Sequence, residues 1–148
     1  MTWRDEMRLA ASLNLDDIRR MLDERERGDP ALRAHLSLAL RGAWRALARS
    51  VAADVPYGYD GPHAHRVASW STCRERGFAS CADAAALILA LLIASGRDDV
   101  ALCIETVDAL PDYAHARILV GGVAVEPYPS KRWEAACTVI EDAVALVA

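Results

Sequence analysis

Residues 77–96, GFASCADAAALILALLIASG, join a turn to an almost unbroken apolar run and decide the fold. Ser80 fits the N-cap position of a helix, and Gly96 fits the position that ends one. The apolar run over 84–94 is well short of the roughly 20 residues that span a bilayer. The stretch therefore predicts a buried core helix that begins at Cys81.

Length and charge narrow the class of protein. A chain of 148 residues has the size of one domain, so we assign residues 1–148 to a single unit. The net charge of −4 gives no reason to expect a nucleic-acid partner. The polar N-terminus lacks the apolar run of a secretory signal, and the four cysteines form no CxxC pair. These features favour reduced thiols and a cytoplasmic protein without membrane association.

The first third of the chain has apolar residues at helical spacing. Residues 2–13 and 15–29 predict two helices, and Asp29 followed by Pro30 predicts the start of a third helix that continues to about Ala53. We therefore expect residues 1–54 to form an N-terminal helical extension, which offers a surface for a protein partner. The arginines of the third helix are interpreted as a solvated face.

The second half of the chain predicts strands. Val100–Val107 has the composition of a strand, and residues 115–127 predict a hairpin around the glycine pair 121–122. The tail 131–147 predicts a helix, with a strand over CTVIE as the alternative. Helices followed by strands are typical of an α+β fold.

The two-residue turn fixes the pairing of the hairpin and therefore its two faces. Predicted partners run from Val120 with Val123 to Arg117 with Glu126. The predicted core face is apolar and holds Ala116, Ile118, Val120, Val123, Val125 and Pro127. The other face holds His115, Arg117, Leu119, Ala124, Glu126 and Tyr128. His115 and Glu126 are diagonal neighbours, so a carboxylate can reach the imidazole, although Arg117 competes for that carboxylate.

Cys81 has a position that suits a nucleophile. It falls in the first turn of the predicted helix, where the helix dipole favours a thiolate and backbone N–H groups can bind an oxyanion. Asp83 follows Ser80 by three residues, which predicts a capping box. The remaining cysteines lie where a free thiol packs as a small apolar side chain: Cys73, Cys103 and Cys137.

Three segments in this order resemble the transglutaminase-like superfamily of papain-like cysteine enzymes. The family pattern is a turn and a cysteine that opens an Ala- and Leu-rich helix, then a strand, then a His with a small residue after it, then Asp-Pro after the hairpin. The matching segments are GFASCADAAALILALLIASG, YAHARILV and VAVEPYP. The match covers roughly residues 74–130. Compact members of this kind occur among phage-encoded proteins and among leader-cleaving proteases of lasso peptide biosynthesis.

The resemblance implies Cys81 as nucleophile, His115 as general base and Glu126 as the residue that orients His115. It implies a catalytic-type core over residues 55–148, in which the central helix that begins at Cys81 packs on a small antiparallel sheet. It also implies a peptide or protein substrate, no cofactor and no metal. Water as acceptor gives a peptidase or amidase and an amine gives a transglutaminase; we expect hydrolysis. Glu126 stands where Asp is usual, and Arg117 replaces a frequent aromatic residue. Candidates for the oxyanion site or the substrate rim are Ser80, Trp70, Tyr57 and Arg117.

Two alternatives stay open. The departures at Glu126 and Arg117 also fit a catalytically inactive fold that acts as a binding or structural module, for example in phage assembly. His63 and His65 lie in a loop and could bind zinc together with a nearby cysteine. The sequence supplies no clear fourth ligand, so solvated loop histidines are the simpler interpretation.

Overall fold

Helices come first along the chain and strands follow, so the fold is α+β. The computed structural model describes residues 3–24, 29–58, 67–107, 110–128 and 137–142, and of residues 3, 104–107, 110–115 and 137–142 it describes the backbone. The helices in these ranges are α1 Trp3–Glu24, α2 Pro30–Leu40, α3 Trp44–Asp54, α4 Trp70–Arg76 and α5 Cys81–Ala94. The strands are β1 Val100–Val107, β2 Leu110–Val120, β3 Val123–Val125 and β4 Cys137–Asp142.

The first helix is longer than predicted. Residues 3–24 form one continuous helix, where the sequence predicts two. Asn14 lies in the middle of it and is buried, although such residues favour helix ends because they compete for backbone hydrogen bonds. Its Oδ1 accepts the backbone N–H of Trp70 at 2.7 Å. A tertiary contact therefore engages the side-chain oxygen of Asn14, the residue at which the two predicted helices were divided, whereas its Nδ2 has no hydrogen-bond partner within the described residues.

The single helix predicted from Pro30 to about Ala53 is two helices, α2 and α3. Helix α2 begins as predicted, since Asp29 Oδ1 accepts the N–H of Leu32 at 3.0 Å. Gly42 follows the end of α2 with φ of +68°, a left-handed conformation that glycine adopts without steric cost. The break redirects the chain, and Leu40, the last residue of α2, is exposed.

Helix α5 is the centre of the core, as the sequence predicts. Every residue from Asp83 to Leu92 is buried, because α1 packs along the helix and β2 packs against another side of it. Met7 and Ile18 from α1 and Ile118 from β2 are among the fully buried side chains of this core. Complete burial of one such side chain contributes about 1.5–3 kcal/mol relative to exposure.

The strands form one antiparallel sheet in the order β3-β2-β1-β4. The hairpin of β2 and β3 has the predicted register, with Val120 opposite Val123 and Ile118 opposite Val125. On the predicted core face, Ile118, Val120 and Val125 are buried. Val123 is exposed, because it adjoins the turn at the end of the sheet.

The C-terminal part of the chain contains a strand where a helix is predicted. Residues 137–142 form β4, which pairs with β1 and places Ile140 opposite Cys103. The run of Thr138, Val139 and Ile140 is β-branched and favours the strand that the sequence left as the alternative. The helix prediction is wrong over these residues because pairing with β1 outweighs the helical spacing of the apolar side chains.

Candidate active site

Cys81 is the first residue of α5, and its half-buried side chain lies against the edge of the core. Ser80 is the N-cap residue, and its Oγ accepts the N–H of Asp83 at 3.3 Å. The Asp83 carboxylate accepts the N–H of Ser80 at 2.8 Å, which completes the predicted capping box. The thiol therefore lies at the positive end of the helix dipole, where an anion is stabilised.

Asp83 anchors the turn that precedes α5. Its side chain is 0% exposed, accepts the N–H of Ala68 at 2.7 Å and forms an ion pair with Arg76. Arg76 also donates to the carbonyl of Phe78 at 3.0 Å and lies 4.2 Å from the centroid of its ring. This buried carboxylate and its arginine hold residues 77–80 against the helix. Periodicity gives no signal for the pair, because the arginine belongs to α4.

Ser80 is a helix cap. It is buried, and both its hydroxyl and its N–H are engaged with Asp83. These contacts give Ser80 a role at the helix end, and its prediction as an oxyanion or rim residue stays untested. Ala82, the second residue of α5, has an N–H that helix geometry leaves without an intrahelical acceptor.

Residues 55–58 run beside the turn before α5. Ala79 is hydrogen-bonded to this segment on both sides, through two N–H···O contacts of 3.0 Å, and is bridged to Tyr57. A Cβ added to Gly58 would lie 2.6 Å from Cβ of Phe78, so glycine is required for this close approach. Tyr57 is 52% exposed, and the structure brings this predicted rim residue to the start of α5.

The chain that leaves the hairpin returns to the same end of α5. Tyr128, predicted on the polar face, packs against the core and donates its hydroxyl to the carbonyl of Val55. Its ring centroid lies 5.5 Å from that of Tyr57. Burial raises the pKa of the Tyr128 phenol, and the nearby charge of Asp83 adds to the shift. Glu126 is two residues before Tyr128, so its segment approaches the start of α5.

The length of α5 can be compared with the length of β2 that precedes its end, which includes His115. The helix has 14 residues, is therefore about 21 Å long, and ends shortly before β1 begins. Because a strand rises about 3.3 Å per residue, roughly six strand residues cover the same length. His115 precedes Val120, the partner of Val100 at the start of β1, by five residues. The side chain of His115 lies outside the described side chains, so its contact with Cys81 stays a prediction.

The register of β2 gives His115 a cross-strand partner that the sequence did not indicate. His115 pairs directly with Glu105 of β1, whereas Glu126 lies one residue beyond β3. Directly opposite residues have Cβ atoms about 4.5–5.5 Å apart. The backbone register therefore puts Glu105, rather than Glu126, directly opposite His115. Sequence alone does not give this pairing, because an irregularity between Thr106 and Val107 shifts the register.

Strand alternation separates Arg117 from α5. Ile118 is buried in the core that contains α5, so the half-buried Arg117, opposite Cys103, belongs to the other face of β2. The structure does not bring Arg117 to Cys81 from the helix side, contrary to its prediction as a rim residue. The same alternation assigns position 115 to the face of Arg117.

Trp70 lies in the core rather than at a substrate rim. It is 3% exposed, and its indole N–H donates to Asp54 Oδ2 at 2.9 Å. Its backbone N–H donates to Asn14 at 2.7 Å. Both donors are therefore engaged by protein acceptors, and the prediction of Trp70 as an oxyanion or rim residue is corrected.

Asp54 collects hydrogen-bond donors from neighbouring helices, a network that the sequence did not indicate. Arg74 donates to its two oxygens at 3.2 and 2.6 Å, and His35 Nε2 lies 2.9 Å from Oδ2. Nδ1 of His35 lies 2.7 Å from Oγ of Ser50, and Arg74 also pairs with Asp29. Ser50, His35 and Asp54 are the residue types of a hydrolase triad. Because His35 is 1% exposed, a substrate cannot reach it, and the network is structural.

The other described thiols are buried, as the sequence predicts. Burial and the nearby charge of Asp83 raise the pKa of Cys73 to about 12. Cys103 is buried on the sheet. His63 and His65, the residues of the alternative zinc site, lie outside the described residues. Within the described ranges, no three His, Cys, Asp or Glu residues are grouped so that they could hold a metal ion.

Comparison with known proteins adds no relative. None of the described helices is long and apolar enough to cross a membrane. The assignment of the candidate site depends on the residues of this chain alone. No family model matches the sequence, and no match was found among curated proteins or solved structures.

Proposed function

We propose that this protein is a cysteine-dependent amide hydrolase, a peptidase or amidase, with Cys81 as nucleophile, His115 as general base and Glu126 as the residue that orients His115. The position of Cys81 carries the proposal: a half-buried thiol at the capped start of a buried helix that packs against β2, the strand that contains His115. The helix dipole stabilises a thiolate there. The segments of Tyr57 and Glu126 converge on the same helix end.

The reaction proceeds through a thioester. Cys81 Sγ forms a bond to the carbonyl carbon of the amide while its proton passes to His115, and backbone N–H groups of the first turn of α5, among them that of Ala82, bind the oxyanion. The C–N bond then breaks, and His115 returns the proton to the leaving amine. Water, deprotonated by His115, attacks the thioester, and the carboxylic acid leaves as the thiol is restored.

A transglutaminase-like, papain-like architecture is part of the proposal. The order of elements supports it: a central helix that begins at a cysteine, a strand, a second strand with His115, and a hairpin partner followed by Glu126. The substrate is a peptide or protein segment, water is the acceptor, and reduced thiols suit the cytoplasm. The reaction needs no cofactor, nucleic acid or membrane, and the helices of residues 1–54 offer a surface to a protein partner.

Selective alkylation tests the proposal without knowledge of the substrate. The folded protein is treated with dilute iodoacetamide at neutral pH, and labelling of each cysteine is followed by mass spectrometry. We expect Cys81 to react about 10-fold faster than the same residue in the urea-unfolded chain, and far faster than Cys73 or Cys103. His115→Gln should remove that advantage, because the imidazolium no longer stabilises the thiolate.

The control for this experiment is Asp98→Asn, which removes an exposed charge beyond the opposite end of α5. It should leave the labelling rate of Cys81 unchanged. If Cys81 reacts no faster in the folded protein than in the unfolded chain, or equally fast in His115→Gln, the hydrolase proposal is wrong.

A binding or structural module without turnover is the second candidate function. Strand alternation favours it, because Ile118 is buried in the core with α5 and position 115 belongs to the other face of β2. His115 would then reach Cys81 only around the end of the helix. A module of this kind predicts a Cys81 labelling rate that does not respond to His115→Gln.

A further inference from the structure

We infer that Tyr57 and Tyr128 form an aromatic wall beside Cys81 that binds an aromatic side chain on the acyl side of the scissile amide. The inference deepens the proposed function and rests on it in taking Cys81 as the reacting residue. The two rings lie 5.5 Å apart with their planes inclined by 59°, a tilted arrangement typical of aromatic contacts. A third planar group in contact with Tyr57 would extend the same kind of packing.

The wall is close to the thiol. Tyr57 is bridged to Ala79, and bridged backbones lie about 4.8 Å apart. Ala79 precedes Cys81 by two residues, which adds at most about 7.6 Å between Cα atoms. The Cα atoms of Tyr57 and Cys81 are therefore within about 12 Å, a separation that a tyrosine ring and the side chain of a bound acyl group can bridge together.

The wall is also held in place before any ligand binds. The backbone on either side of Tyr57 is hydrogen-bonded to Ala79, and the adjoining Gly58 is closely packed on Phe78. The hydroxyl group of Tyr128 donates a hydrogen bond to the carbonyl oxygen of Val55, which is two residues before Tyr57. A ring fixed in this way loses little conformational freedom on binding, which favours its use as a recognition surface.

The exposure of Tyr57 agrees with a role in recognition. About half of the surface of Tyr57 is accessible, whereas Tyr128, whose ring contacts that of Tyr57, is half-buried. A single exposed apolar residue needs no explanation in itself, but this one is fixed beside a candidate nucleophile. The other large exposed apolar residues of the described part lie on α1, on α2 and at the hairpin turn: Leu9, Leu13, Leu22, Leu40 and Val123.

Three alkylating probes test the wall: iodoacetamide, its N-benzyl derivative and its N-butyl derivative. In each reaction Cys81 Sγ forms a bond to the methylene carbon, the carbon–iodine bond breaks and iodide leaves. For each derivative, the rate constant at Cys81 is divided by the rate constant of iodoacetamide at Cys81. This ratio is then divided by the same ratio measured with glutathione, which corrects for the intrinsic reactivity of the probe. We expect the corrected N-benzyl ratio at Cys81 to be about 3- to 10-fold and the N-butyl ratio to be clearly smaller, because a favourable aromatic contact changes a rate by about that factor.

Variants of Tyr57 separate the wall from other causes. Tyr57→Phe keeps the ring and should keep the N-benzyl ratio, whereas Tyr57→Leu should reduce it to the N-butyl value. Tyr57→Gln gives a second ring-free side chain of similar length, and circular dichroism and the unfolding midpoint establish that each variant is folded. Val123→Ala removes an exposed apolar residue far from the site and should leave the ratio unchanged.

The inference is overturned if the wild-type N-benzyl ratio equals that of glutathione, or if folded Tyr57→Leu and Tyr57→Gln retain it. Failure of the hydrolase proposal would be seen in the absolute rates and not in the ratios. If His115 is the general base, His115→Gln should slow alkylation by all three probes equally and leave their ratios intact. Equal absolute rates in wild type and His115→Gln would show that His115 is not the general base. The N-benzyl ratio would still measure the contribution of the aromatic wall.

Discussion

Cys73 and Cys81 are eight residues apart and have opposite environments. Cys73 is fully buried, and although Nη2 of Arg76 lies 3.8 Å from its sulfur, burial and the charge of Asp83 dominate and raise its pKa. Cys81 lies half-buried at the first residue of α5, at the positive end of the helix dipole. Burial therefore separates a packing thiol from a candidate nucleophile.

The raised pKa of Cys73 predicts a loss of stability in alkaline solution. Its pKa is about 12 in the folded protein against 9.0 for an ordinary thiol, so above pH 9 the unfolded chain ionises first and binds fewer protons. The free energy of unfolding should then fall with rising pH across that window. In Cys73→Ala this part of the fall disappears, so the stability advantage of wild type should shrink between about pH 9 and pH 11. Urea unfolding over this range measures it, and a constant difference between the two proteins would contradict the prediction.

At the scale of elements, the start of α5 depends on its cap. Ser80→Ala removes the side-chain acceptor for the N–H of Asp83 and should lower the free energy of unfolding by about 1 kcal/mol. Asp83→Ala leaves Arg76 without its buried partner and should cost about 3 kcal/mol. Urea unfolding compares both with Ser95→Ala at the other end of the helix, for which we expect the smallest loss. Equal losses in the three variants would show that the cap has no special role.

The hairpin and β1 offer two carboxylates to His115, and paired variants decide between them. With Glu126 as the orienting residue, Glu126→Gln should slow alkylation of Cys81 at neutral pH by about 10-fold, because a less stabilised imidazolium supports less thiolate. Glu105→Gln is the matched control on the opposite strand and should have little effect. The reverse order of effects would transfer the role to Glu105, the direct cross-strand partner.

Elements with local signals could be predicted from sequence, and contacts between distant segments could not. Ser80 and Gly96 mark the two ends of α5, and the glycine pair at 121–122 sets the hairpin register, which the structure confirms. The positive φ of Gly42 divides a helix that periodicity predicts as continuous. The pairing of Arg76 with Asp83 joins separate elements, so no local pattern contains it.

At the scale of the whole molecule, the burial of His35 could be predicted from the sequence, but its hydrogen-bond partners could not. It is spaced by three residues from Leu32 and adjoins Leu36 on the buried side of α2, which marks it as a core position. Its partners, Ser50 and Asp54, lie on α3 and could be found only from the structure. The candidate catalytic residues come from a resemblance in motif order, which does not depend on tertiary contacts, and they stay a prediction.

The Asp54 network joins the N-terminal helices to the candidate site. Asp54 binds His35 of α2 and Trp70 and Arg74 of α4, and it is the last residue of α3 before the segment that carries Tyr57. Loss of this carboxylate therefore affects two things: the packing of three helices and the position of the aromatic wall. The helical extension of residues 1–54 and the core that follows should unfold as one cooperative unit.

Asp54→Ala tests that connection. It leaves Arg74 and His35 without a partly buried acceptor and should lower the free energy of unfolding by about 3–5 kcal/mol. Arg20→Ala, which removes the exposed partner of Asp17 at 3.5 Å, is the control and should cost about 0–1 kcal/mol. Urea transitions followed by circular dichroism and by labelling of Cys73 should coincide in wild type, because the buried thiol is exposed only when the whole core opens. Two separate transitions would mean that the helices fold independently of the sheet and that Asp54 does not couple them.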